Sequence, residues 1–140
     1  MSNNTKSKKR ILVVDDEPSV CQSLRILLTR DGYAVQTAWS GAEALTILTQ
    51  EPQDLVITDF TMSGMKGDAL AQLIRQRWPD TGVIMLTGSA DLLRAAATPL
   101  PGVDALIGKP FEAEELRKAI AEILAVREAG GGLQQAPATV

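Results

Sequence analysis

ILVVDDEP, residues 11–18, sets four consecutive branched apolar residues against a pair of carboxylates, Asp15 and Asp16. A run with no polar alternation reads as a strand buried on both faces, as in a parallel sheet covered by helices. Pro18 then suits a first helical turn, where its missing N–H would have had no partner in any case. Strand, acidic turn and helix start thus follow one another within eight residues.

The pattern repeats along the chain: DLVIT precedes Asp59, VIML precedes Thr87, and DALIG precedes Lys109 and Pro110. Short apolar runs at 11–15, 34–38, 54–58, 83–87 and 104–108 alternate with longer segments of helical period, which predicts βαβ crossovers, an α/β fold and five helices. A parallel sheet gathers the C-terminal ends of its strands at one edge. Asp15, Asp16, Asp59, Thr87 and Lys109 should therefore meet there.

The helical segments carry their own punctuation. In the first, Val20, Cys21, Leu24, Leu27 and Leu28 recur at three-to-four spacing, Ile26 alone lies off the stripe, and Gly32 suits the end. Ser40, with Glu43 in the capping-box position, opens the second, which should end before Pro52. The third places Leu70, Leu73, Ile74 and Trp78 on one face and stops before Pro79. Alanines 95 to 97 propagate a fourth, cut short by Pro99 and Pro101. Leu116, Ile120, Ile123 and Leu124 form the inner stripe of the fifth, with Glu112, Glu114 and Glu115 at the positive end of its dipole.

With 140 residues and 45% hydrophobic content, the chain can build one sizeable core. No apolar run approaches the ~18 residues that a membrane span needs, and MSNNTKSKKR lacks the apolar core of a secretory signal, so a cytoplasmic location and no membrane partner are expected. Residues 1–9 read as a flexible basic leader, 10–127 as the folded domain, and 128–140, which include GGGLQQAPATV, as a flexible tail or linker. A net charge of −3 and a pI near 4.9 argue against nucleic acid as a direct partner. Cys21, on the apolar stripe of the first helix, reads as a reduced, inert thiol. Met62 and Met65 read as packing residues.

Three carboxylates at one sheet edge repel one another, and a hard divalent cation held by oxygen relieves the repulsion. Mg2+ fits that donor set, whereas the lack of any histidine and the single cysteine disfavour Zn2+. With the Lys109 ammonium and the Thr87 hydroxyl, such a cation would cradle Asp59 as a nucleophile for phosphoryl transfer, a reaction that needs little beyond positioning and charge. A chain without histidine cannot hold a phosphohistidine of its own, so a donor of that kind must be a partner.

Over roughly residues 9–127 the chain resembles the receiver domain of two-component response regulators, on ILVVDDE at 11–17, DFTMSGMKG at 59–67, MLTG at 85–88 and GKPF at 108–111. The resemblance implies a flavodoxin-like, doubly wound sheet of order 2-1-3-4-5 with its site between the first and third strands. It makes Asp59 the phosphoacceptor, Asp15, Asp16, Asp59 and the Thr61 carbonyl the Mg2+ ligands, and Lys109 and Thr87 the groups on the phosphoryl oxygens. A cis bond before Pro110 would aim Lys109. The partner it implies is a histidine kinase or histidine phosphotransfer protein, with a homodimer supported by the fourth helix, fifth strand and fifth helix, where Leu92, Leu93 and Val126 fall. The chain would be a signalling domain that catalyses only its own phosphotransfer and dephosphorylation, not an enzyme in the wider sense.

Four positions bear on how it compares with relatives. Ser63 replaces the proline usual after the acceptor, which should loosen that loop modestly. Leu106 stands where receivers commonly carry an aromatic switch residue. Thr61 and Ser89, which flank the pocket and tune loss of phosphate in relatives, are small and hydroxylated here. The alternative reading is an unphosphorylated receiver-like scaffold for protein–protein contact. An FMN carrier would need a neutral loop where DDEP stands, and a phosphohydrolase would separate its two acids along the first strand.

Overall fold

The computed structural model describes residues 8–88 and 100–129. Five parallel strands form one sheet of order β2-β1-β3-β4-β5: β1 (Arg10–Val14), β2 (Ala34–Ala38), β3 (Leu55–Asp59), β4 (Gly82–Thr87) and β5 (Ala105–Gly108). Helices α1 (Pro18–Arg30), α2 (Gly41–Gln50), α3 (Gly67–Arg77) and α4 (Ala113–Ala129) connect or follow them. Helix α4 answers to the fifth helix expected from the sequence. The expected fourth, with Leu92, Leu93 and Ser89, lies outside the described residues, as do residues 1–7 of the leader and 130–140 of the tail.

Alternation along the strands divides the interior into two cores. Ile11, Val13, Leu55, Ile57, Ile84, Leu86 and Ile107 face α1 and α4 and pack on Leu24, Leu28, Leu116 and Ile120. Leu12, Val14, Val56 and Val83 face α2 and α3 and pack on Leu48, Leu70 and Ile74. Because both faces are covered, the central strands β1, β3 and β4 carry their polar residues only toward their ends, and burial of each large side chain contributes about 1.5–3 kcal/mol. Ile26, off the α1 stripe, is 52% exposed.

Helix ends follow the local chemistry. The Glu43 N–H donates to Ser40 Oγ at 3.1 Å, while the Glu43 carboxylate accepts from the Trp39 N–H at 2.8 Å, one residue earlier than a standard capping box. At the end of α1, Gly32 takes φ +101°, and the Tyr33 and Gly32 N–H groups donate back to the Leu28 and Thr29 carbonyls. That Schellman closure needs the left-handed backbone that glycine tolerates. At the N-terminal ends of the strands, the Arg10 N–H donates to Asp54 Oδ2 at 2.7 Å, and Arg127 of α4 pairs with Asp104 at 3.1 Å while donating to the Pro79 carbonyl.

Strand limits differ from expectation by a residue or so. Asp59 closes β3 instead of following it, held in register opposite Leu86, and Asp15 falls just beyond β1. The ladder continues wherever a neighbour supplies a partner, whatever the polarity of the side chain.

Candidate functional site

The sheet order reverses direction at the junction of β1 and β3, which opens a crevice at the carboxyl ends of the strands. The loops after β1 and β5 and the last residue of β3 deliver the acids and the cation to it. One carboxylate oxygen from each of Asp15, Asp16 and Asp59 lies within 4.8 Å of the others. Lys109 Nζ approaches Asp59 Oδ1 to 3.1 Å and Asp15 Oδ2 to 3.5 Å.

Burial grades the three acids. Asp15 is 1% exposed and Asp59 9%, whereas Asp16 is open to solvent. The Glu17 N–H, at the cap of α1, donates to Asp15 Oδ1 at 2.9 Å, so both Asp15 oxygens have a partner. Burial pushes the Asp59 carboxyl above its ordinary 3.8; the Lys109 hydrogen bond and charge pull it back, and the charge of Asp15 adds to the rise. For Lys109, burial pulls the ammonium down, but Asp59 and Asp15 outweigh it and leave the group above 10.5. One ammonium against three carboxylates leaves a surplus of negative charge. A hard cation bound through oxygen suits that donor set.

The remaining candidates share the edge in different ways. Thr87 ends β4 fully buried, with its hydroxyl 3.4 Å from the Gly88 carbonyl. Thr61 is exposed in the loop after β3, and the bond between Lys109 and Pro110 is cis. Leu106 lies half-buried on β5 opposite Met85. Met62 is buried in the core beneath α2 and α3, with Met65 packed against it.

Cys21 is 3% exposed, with its S–H directed at the Asp15 carbonyl at 3.4 Å. Burial, then the charge of Asp15, pushes its thiol up to about 11.

Two contacts were not legible in the sequence. The Glu17 backbone amide holds Asp15, and Ser63 reaches across to Asp16. Gly67 is a third necessity: a Cβ there would lie 2.3 Å from the Asp59 carbonyl oxygen, so α3 can start this close to the site only without a side chain.

Residues 11–121 match the family model described as response regulator receiver domain. The chain is 39% identical over 129 residues to the transcriptional regulatory protein GlrR of Escherichia coli, covering 92% of this chain and 27% of that protein. It is 35% identical over 111 residues to the DNA-binding response regulator MtrA of Mycolicibacterium smegmatis, covering 78% and 47%. The chain therefore spans between about a quarter and a half of these relatives' lengths. Among solved structures, a receiver domain protein of Clostridium thermocellum superposes with a TM-score of 0.80 at 35% identity, covering 86% of this chain and 98% of that one. TrrA of Thermotoga maritima, solved in complex with Mg2+ and BeF, gives 0.75 at 36% identity, covering 82% and 98%. A match over most of the chain, the parallel five-stranded sheet and the acid-lined crevice agree: the chain belongs to the response regulator receiver domain family.

Proposed function

We propose that the chain is a phosphorylation-dependent switch in which Asp59 accepts a phosphoryl group from a histidine kinase or histidine phosphotransfer protein. The observation that carries this reading is the ion pair at 3.1 Å between Lys109 and Asp59, inside a cluster of three acids. Asp59 must be ionised to attack, and the nearby ammonium favours that form. An Oδ atom of Asp59 attacks the donor's phosphorus. The P–N bond breaks with its electron pair going to the imidazole, and an acyl phosphate forms on Asp59.

In this reading Asp15, Asp16, Asp59 and the Thr61 carbonyl hold Mg2+, which when bound would supply positive charge to the phosphoryl oxygens. Lys109, aimed by Pro110, moves from the carboxylate to a phosphoryl oxygen as the bond forms, and the Thr87 hydroxyl donates to another. Thr61, in the loop after β3, sets how easily water reaches the acyl phosphate, together with Ser89, which lies outside the described residues. Two conformations with different affinity for a downstream protein carry the message. With Leu106 in place of a ring, the change is reported by rearrangement of the loops and of the expected fourth helix, which lies outside the described residues. The setting is the cytoplasm, with no direct contact to nucleic acid or membrane by this domain.

The test is intact mass after incubation with acetyl phosphate and Mg2+, for the native chain and for Asp59→Asn. One added phosphoryl group that requires both Mg2+ and Asp59 is expected. No adduct on the native chain would favour a receiver-like scaffold that binds partners without being phosphorylated.

A further inference from the structure

Ser63 lies in the loop between β3 and α3, exposed, and makes two contacts to one atom on another loop. Its backbone N–H donates to Asp16 Oδ2 at 3.2 Å, and its Oγ lies 3.4 Å from the same oxygen. The two residues are 47 positions apart, so the contacts tie the turn after β1 to the loop after β3 across the mouth of the crevice. Asp15 and Asp59 are already held, by the Glu17 amide and by Lys109. Asp16 is the exposed acid of the three, and a free carboxylate in solvent would rotate among several orientations.

We infer that Ser63 is a positioning residue for Asp16, fixing one carboxylate oxygen by two donors so that the other is presented to a divalent cation. The inference rests on the reading of the acidic cluster as a Mg2+ site. Partners of this kind hold a ligand's orientation, and their loss commonly costs tenfold or more in metal affinity. Here the contacts are long and solvent-exposed, so the effect belongs at the lower end, a loss of about threefold to tenfold. A proline at this position would remove both donors, because it has neither hydroxyl nor N–H.

Isothermal titration with Mg2+ alone tests this. Ser63→Pro should weaken binding about threefold to tenfold, Ser63→Ala, which keeps the amide, by less, and Ser63→Thr should bind as the native chain does. In an Asp16→Asn background, Ser63→Pro should add almost nothing, since the group it positions is gone. Equal affinity in the native chain and both Ser63→Pro and Ser63→Ala would overturn the inference. So would an equal loss in the presence and absence of the Asp16 carboxylate, which would make the effect one of loop stiffness. Failure of the native chain to bind Mg2+ would instead remove the metal reading on which this one stands.

Discussion

Replacing Lys109 by Met keeps most of the aliphatic stem and removes the only cation that touches Asp15 and Asp59 among the described contacts. At 3.1 and 3.5 Å the two attractions are each about 5 kcal/mol at an effective dielectric of about 20. Much of that is offset by the cost of desolvating the ammonium, which native folding already bears. What remains is two carboxylates, 1% and 9% exposed, without their partner. Such breakage costs about 3–5 kcal/mol when fully buried; with the lysine side chain 26% exposed, about 2–4 kcal/mol is expected without divalent cation at pH 7. In a chain of this size that corresponds to a fall in Tm of roughly 6–12 °C. The deficit should shrink on acidification. A carboxyl whose folded value exceeds 3.8 contributes stability that is full below 3.8 and lost as pH rises through the folded value, and without Lys109 that value rises further. Thermal melts of both proteins between pH 4 and 8, without and with Mg2+, measure all of this. A Lys109→Met protein that melts with the native chain at pH 7 in the absence of metal would refute the reasoning.

Gly67→Ala should cost about 1–3 kcal/mol in urea unfolding and slow phosphorylation by acetyl phosphate, because the backbone of Asp59 and Phe60 cannot yield to the added methyl. The Cys21 thiol, pushed up to about 11, should be thiolate in only about one molecule in a thousand at pH 8. Iodoacetamide should therefore modify the native chain very slowly and the urea-unfolded chain much faster; rapid native labelling would contradict the buried, protonated thiol. Ser40→Ala removes the side-chain cap of α2 and should lower stability by about 1 kcal/mol, read as a lower urea midpoint at unchanged m-value.

Sheet, helix faces and the gathering of acids at one edge were legible because parallel strands buried on both faces need uninterrupted apolar runs, and ILVV, LVIT and VIML supply them. Gly32, Ser40 with Glu43, and Pro79 marked helix ends because capping is settled within a few residues. The site's finer wiring was not legible, for the opposite reason. Ser63 meets Asp16 across 47 residues, and its donors matter only once two loops have been folded over the same crevice. From the sequence Ser63 reads as the loss of a stiffening proline, and nothing local announces that its amide reaches Asp16. Likewise the Glu17 contact to Asp15 comes from its backbone amide, which no side-chain pattern announces.

The ion pairs at the start of the strands and the crowded acids at their ends give the molecule two poles with opposite responses to ionic strength. Added NaCl screens the attraction between Arg127 and Asp104 at one pole and the mutual repulsion of Asp15, Asp16 and Asp59 at the other. The two effects oppose, so a flat salt titration would conceal compensating changes. Any stabilisation by MgCl2 should therefore be set against NaCl of matched ionic strength: screening is common to both salts, and the difference belongs to the acidic pole alone.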